Sequence, residues 1–106
     1  MNEQTQRWCA SRATVFKALG HPTRVFIVQE LSKGEKCVCH LTEKIGADMS
    51  TVSKHLAILK SAGIVSDDKR GLQVFYKLRM PCVLGVFSCV DKIMAEDLRE
   101  KKTLVK

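Results

Sequence analysis

Two stripes of apolar residues at helical period, Val38-Leu41-Ile45 and Val52-Leu56-Leu59, are separated by only the three residues Ala47-Asp48-Met49. No other feature narrows the possible folds of this chain so far. A residue recurring every three or four positions marks one face of a helix. Gly46 closes the first stripe, Asp48 or Ser50 can cap the second, and Gly63 ends it. Two short helices joined so tightly match a helix-turn-helix. From Ile64 the pattern turns extended. Ile64-Val65-Ser66, a polar turn Asp67-Asp68-Lys69-Arg70-Gly71, and the β-branched and aromatic run Gln73-Val74-Phe75-Tyr76-Lys77-Leu78 predict a hairpin. A basic hairpin directly after a helix-turn-helix is the arrangement of a wing.

The flanks read as further helices. Trp8, Val15, Phe16 and Leu19 set out a first helix over Trp8–Leu19, with Gly20 as its C-cap. His21 opens a second, with Pro22 in its first turn and Val25, Val28 and Leu31 as its stripe, ending before Gly34. After Pro81, the residues Val83, Val86, Phe87, Val90, Ile93 and Met94 mark a last amphipathic helix that fades into Arg99-Glu100-Lys101-Lys102. The expected fold is mainly α with a small β-hairpin, in the order α-α-α-α-β-β-α, as one winged helix-turn-helix domain over residues 1–106. A domain this short buries only about two-thirds of its unfolded surface, and the long stripe of the last helix needs cover. A second copy of the chain would supply it.

The net charge is +7 and the pI about 9.4, which favours an anionic partner. Placement adds to the signal: Lys54, Lys60, Lys69, Arg70, Lys77 and Arg79 crowd the segment from Met49 to Arg79, opposed only by Asp67 and Asp68. With the second helix of the motif in the major groove of double-stranded DNA, Ser50, Thr51, Ser53, Lys54 and His55 stand where base edges are read. Lys60, Lys69 and Arg70 are placed for phosphates, which give salt-dependent affinity without sequence. His55, turned partly toward the core beside Leu56, would bond to backbone or phosphate. The plainer reading makes these polar residues the solvated face of a helix; the hydroxyl cluster, the short turn and the basic hairpin together favour DNA. A winged-helix module that binds protein instead is the alternative. No nucleotide loop, Gly-framed nucleophile, carboxylate cluster or Cys-x-x-Cys beside a βαβ unit points to an enzyme. No apolar run approaches the roughly 20 residues of a bilayer span, and the polar start lacks the order of a signal peptide, so a cytoplasmic location without membrane contact is expected.

Four segments carry a family resemblance: Leu19-Gly20-His21-Pro22-Thr23-Arg24, Cys37-Val38-Cys39-His40-Leu41, Ser50-Thr51-Val52-Ser53-Lys54-His55-Leu56 and Leu59-Lys60-Ser61-Ala62-Gly63-Ile64-Val65. Together they resemble the signature of the ArsR/SmtB family of metal-responsive repressors, over roughly residues 12–95. The resemblance implies a homodimer joined through its first and last helices. Such a dimer represses its own operon until an inducer lowers its DNA affinity. Two recognition helices would then meet successive major grooves of an imperfect palindrome.

The five cysteines are Cys9, Cys37, Cys39, Cys82 and Cys89. In a reducing compartment they are expected as free thiols, metal ligands or redox sensors rather than structural disulfides. Paired thiolates at Cys37 and Cys39 suit soft ions such as As(III), Sb(III), Cd(II) or Pb(II). The Cys-Val-Cys segment is similar to that of the arsenical-responsive repressors, which carry Asp where this chain has His40, and this makes As(III) or Sb(III) the expected inducer. On a regular helix, residues two apart project about 200° from each other, so chelation is expected to unwind the first turn of the third helix. The third ligand stays open among Cys9, reaching across from a second copy as in the cadmium-sensing branch, His40, Cys82 and Cys89. Cys82 and Cys89 lie two turns apart, roughly 10 Å along the axis, too far for one ion. They would face their dimer mates, or one would pair with Cys9 or Cys39 in a redox or reactive-sulfur switch. Plain packing is the simpler role for Cys9, Cys82 and Cys89. The family's zinc site on the last helix is not expected, because Asp91, Glu96 and Asp97 have no histidine with them there.

Overall fold

Asn2 starts the first helix earlier than its apolar stripe suggests. The Asn2 side chain accepts from the Thr5 backbone N–H at 2.8 Å, so α1 runs Glu3–Leu19. In this computed structural model, which describes residues 1–104, α1 buries only Ala18 and Leu19, while Trp8 and Phe16 are more than half exposed. α2 spans Pro22–Leu31, with His21 as its N-cap: Nδ1 of the imidazole accepts from the Thr23 N–H at 3.1 Å. Ile27, Val28 and Leu31 enter the core and Val25 stays half-buried.

The two stripes that anchored the sequence reading form α3, Val38–Ile45, and α4, Met49–Ser61. Leu41, Val52, Leu56 and Leu59 are fully buried, and these inward positions fix which face of α4 looks out. Asp48 is the N-cap of α4, its carboxylate accepting from the Thr51 N–H at 2.7 Å and from the Ser50 hydroxyl at 2.9 Å. At the other end the chain reverses through Gly63 at φ +80°, with Gly63 N–H bonded to Lys60 O and Ile64 N–H to Leu59 O. That is a Schellman closure, and it delivers buried Ile64 and Val65 into the wing.

The sheet has three strands, one more than the sequence suggested. β1, Lys36–Cys37, pairs antiparallel with β3, Gln73–Leu78, which pairs with β2, Val65–Arg70, giving the order β1-β3-β2. Two residues carry no alternation from which a strand can be read. The expected five-residue turn over Asp67–Gly71 is also corrected. Arg70 pairs with Gln73, so only Gly71 and Leu72 turn the corner and Asp67 to Arg70 are strand residues. Their polarity reflects solvent exposure at the wing, which the sequence pattern cannot tell from a loop.

α5, Val83–Leu104, meets the core only at its start, through buried Val83 and half-buried Leu84 and Phe87. Beyond these, Val86, Val90, Ile93, Met94 and Leu98 lie on the surface. An apolar groove of about 580 Å³, lined by Phe16, Val25, Phe26, Val86 and Val90 among others, opens between the end of α1, α2 and α5.

Candidate nucleic-acid interface and thiol site

With Val52, Leu56 and Leu59 inward, helical geometry leaves Ser50, Thr51, Ser53 and Lys54 exposed along the first two turns of α4. His55 is half-buried instead. Its Nδ1 lies 3.3 Å from Nη1 of Arg24, and its ring stands 4.5 Å from that of His21. Arg24 only donates, so Nδ1 of His55 accepts and the proton sits on Nε2. The same guanidinium donates from Nε to Ala18 O at 2.6 Å, tying α4 to the end of α1. Burial first, then His21 and Arg24, hold the His55 imidazole below its ordinary pKa. Within the chain, Nδ1 of His55 is thus taken by the Arg24 side chain.

Two of the basic residues expected at phosphates are engaged within the protein. Lys60 at the end of α4 bonds Asp67 of β2 at 3.0 Å. Arg70 makes a bidentate pair with Glu35 at 2.6 and 2.9 Å, adds Asp68 at 2.9 Å, and lies over the Phe75 ring. Asp67 and Asp68, the lone acids of the segment, thus neutralise part of its basic excess. Lys69 forms no ion pair among the described residues.

The thiol segment sits beside this unit. Cys37 closes β1 and is the N-cap of α3, with extended backbone (φ −77°, ψ 160°), and its Sγ accepts from the His40 N–H at 3.2 Å. Cys39 lies in the first turn of α3, and a disulfide joins it to Cys37. This corrects the premise of the unwinding argument, since the sulfurs meet here with α3 regular from Val38. The 200° argument assumed both residues helical, whereas an N-cap side chain folds back over the first turn and comes to lie by the second helical residue. The His40 ring points elsewhere, with Nε2 3.1 Å from Oε1 of Glu30. That carboxylate is almost wholly buried, also bonds Lys33 at 3.1 Å, and is held below the usual carboxylate range chiefly by His40 and then Lys33. Cys9, Cys82 and Cys89 are all exposed, so burial within one protomer is not their role. Among the described residues, no three His, Cys, Asp or Glu side chains converge as a metal site.

Comparison with known proteins supplies the context. Residues 21–67 match the model of the bacterial regulatory protein arsR family. The HTH-type transcriptional regulator MJ1325 of Methanocaldococcus jannaschii, described as uncharacterized, is 39% identical over 82 residues, covering 76% of this chain and 92% of that protein. The chain belongs to the ArsR family of transcriptional regulators. A Staphylococcus aureus cadmium resistance transcriptional regulatory protein, a CadC homolog, is 46% identical over 67 residues, 62% of this chain but only 55% of that relative. The homodimeric winged helix-turn-helix DNA-binding domain Mb0332 of Mycobacterium bovis, a possible ArsR-family regulator, superposes with a TM-score of 0.80 at 27% identity, covering 94% of this chain and 93% of that one.

In this ArsR-family chain the helix-turn-helix and wing are therefore those of a DNA-binding regulator and not of an enzyme. The fold brings Ser50, Thr51, Ser53 and Lys54 onto one outward face and joins Cys37 to Cys39. It does not bring Cys9, Cys82 or Cys89 into a cluster with that pair. Arg24 and Glu35 escaped the sequence reading. Arg24 lies within a family-like segment, but only the fold shows that it reaches His55, 31 positions away.

Proposed function

We propose that this ArsR-family regulator is a homodimeric cytoplasmic repressor, one winged domain per protomer, whose α4 enters the major groove of an imperfect palindrome. Release follows when an inducer engages Cys37 and Cys39 in their reduced, dithiol form, with As(III) or Sb(III) the ions the pair suits best. One observation carries this reading: the two sulfurs reach bonding distance at the N-terminus of α3, the helix that leads through three residues into α4.

The chemistry follows from the cap. The Cys37 sulfur accepts from the His40 N–H at the N-terminus of α3, and once the disulfide is reduced that place suits the thiolate ligand a soft ion requires. Coordination draws on the same lone pairs and loosens that cap, which biases the seat of α3 under α4. The third donor must come from beyond this pair. His40 is committed to Glu30, so Cys9, exposed on α1, is the favoured candidate from a second copy. The dimer would form through α1 and α5, where Trp8, Phe16, Val90 and Ile93 wait uncovered. Ser50, Thr51, Ser53 and Lys54 would read base edges, His55 would offer Nε2–H, and Lys69 would meet a phosphate.

The disulfide favours a second reading, a redox switch at the same pair. Two thiols and a hydroperoxide would give the disulfide, water and an alcohol, with both electrons passing to the peroxide bond. Operator release measured with As(III), Cd(II), Zn(II) and an organic hydroperoxide, on wild type and Cys37→Ser, separates the readings. Release by As(III) that is lost in Cys37→Ser supports the metalloid sensor, and release by hydroperoxide alone supports the switch. An unchanged As(III) response in Cys37→Ser refutes the site.

A further inference from the structure

The wing is tied to the protein on both of its faces, and the two ties lead to different places. Directly paired residues of an antiparallel sheet share a face. Cys37 pairs with Phe75, and Phe75 with Asp68, so one row crosses the sheet from the thiol strand to the far edge of the wing. On that face Arg70 closes a bracket: its guanidinium bonds Asp68, lies over Phe75 and forks onto Glu35, two residues before Cys37. On the opposite face Asp67 bonds Lys60 at the end of α4.

From this arrangement we infer that Glu35 and Arg70 are positioning residues, a strut that carries a change at the thiol pair into the wing and through Asp67–Lys60 to the recognition helix. The inference rests on the proposed thiol-sensing role and adds its route. β1 is only two residues long, so its ladder bonds alone hold Cys37 weakly to β3. The bidentate Glu35–Arg70 pair is the strongest side-chain link between that segment and the wing, because a guanidinium fork fixes orientation as well as distance. Arg70 therefore serves as a brace, with its donors already directed at Glu35 and Asp68, and Lys69 is left as the phosphate ligand at the wing tip.

The test is a coupling measurement on the full chain. With the Cys37–Cys39 pair reduced, operator affinity is determined with and without arsenite, and arsenite binding is measured separately by titration, for wild type, Glu35→Gln, Glu35→Asp and Cys37→Ser. In wild type, arsenite should lower operator affinity by roughly 5- to 150-fold, the usual range of coupling between two sites. In Glu35→Gln, arsenite should still bind with wild-type affinity while the fold-change collapses toward ~1, and Glu35→Asp, which keeps a carboxylate for the Arg70 fork, should retain most of it. A Glu35→Gln protein that binds arsenite and is released as fully as wild type overturns the strut and leaves thiol sensing intact. If wild type itself does not respond to arsenite, or Cys37→Ser responds as wild type does, thiol sensing of the metalloid fails and the strut fails with it. Loss of function through misfolding would show as lost arsenite binding and lost operator affinity together, and wild-type arsenite affinity in Glu35→Gln excludes it.

Discussion

Lys54 stands on the outer face of α4, one turn from Ser50, with no ion pair among the described residues to compete for it. Lys54→Ala should weaken operator binding, whereas Lys69→Ala, by losing the proposed phosphate contact, should reduce the slope of log affinity against log salt by about 0.9; fluorescence anisotropy across a salt series checks both. Asp48 differs in kind. Its carboxylate is held below the ordinary range by the bonds from Thr51, side chain and backbone, and from Ser50. A carboxyl whose folded pKa is depressed stabilises the protein above its unfolded pKa, and that contribution disappears as pH falls through the folded value. Asp48→Asn keeps a good N-cap but cannot titrate, so its melting temperature should decline less than that of wild type between pH 5 and pH 3, an interval about the usual carboxylate pKa near 3.9. His55 adds to the same trend from higher pH. Its imidazole is held neutral, so folding binds fewer protons than unfolding and stability drops as pH falls below about 6.5. His55→Gln should flatten the upper part of that curve in thermal melts.

At the scale of elements, α3 and α4 were legible because their apolar period agrees with their caps at both ends. Gly46 and Gly63 close the two helices at φ +76° and +80°, conformations that cost an L side chain roughly 1 kcal/mol. Gly63→Ala carries a second penalty, since its Cβ would come within 2.9 Å of the Arg79 guanidinium that bonds Gly63 O. It should lose about 1–2 kcal/mol in urea denaturation, with the shift in midpoint as the measure. Leu56→Ala, from full burial, should cost about 2–5 kcal/mol by the same measurement. The wing was legible only in part. Its strands announce themselves by β-branched and aromatic residues, but the polar run Asp67 to Arg70 predicts a turn, because exposed strands and loops share a polar composition. β1 could not be read at all, since Lys36 and Cys37 become a strand only where β3 offers them hydrogen bonds.

For the whole molecule, the decisive fact is the apolar surface that one protomer leaves open. Phe16, Val86 and Val90 line a groove, and Val90, Ile93, Met94 and Leu98 continue along α5. A charge placed there would be buried unpaired in a dimer and harmless in a monomer. Val90→Asp should therefore shift sedimentation from dimer to monomer with the fold retained by circular dichroism, and should weaken operator binding because the two half-sites would no longer be bound together. A Val90→Asp protein that still sediments as a dimer would place the interface elsewhere.

Periodicity, caps and turn residues are local properties, and they settled the helix order, the inward faces of α3 and α4, and the outward row from Ser50 to Lys54 without any tertiary knowledge. They could not settle what each polar side chain does with its charge or its sulfur. That Arg70 braces Glu35, that Lys60 holds Asp67, that Arg24 fixes His55 and that Cys37 leaves the helix to meet Cys39 are outcomes of which groups the folded chain brings within about 3 Å. Hydrogen bonds and ion pairs act only at such range, and between distant segments of one chain that range is set by packing alone.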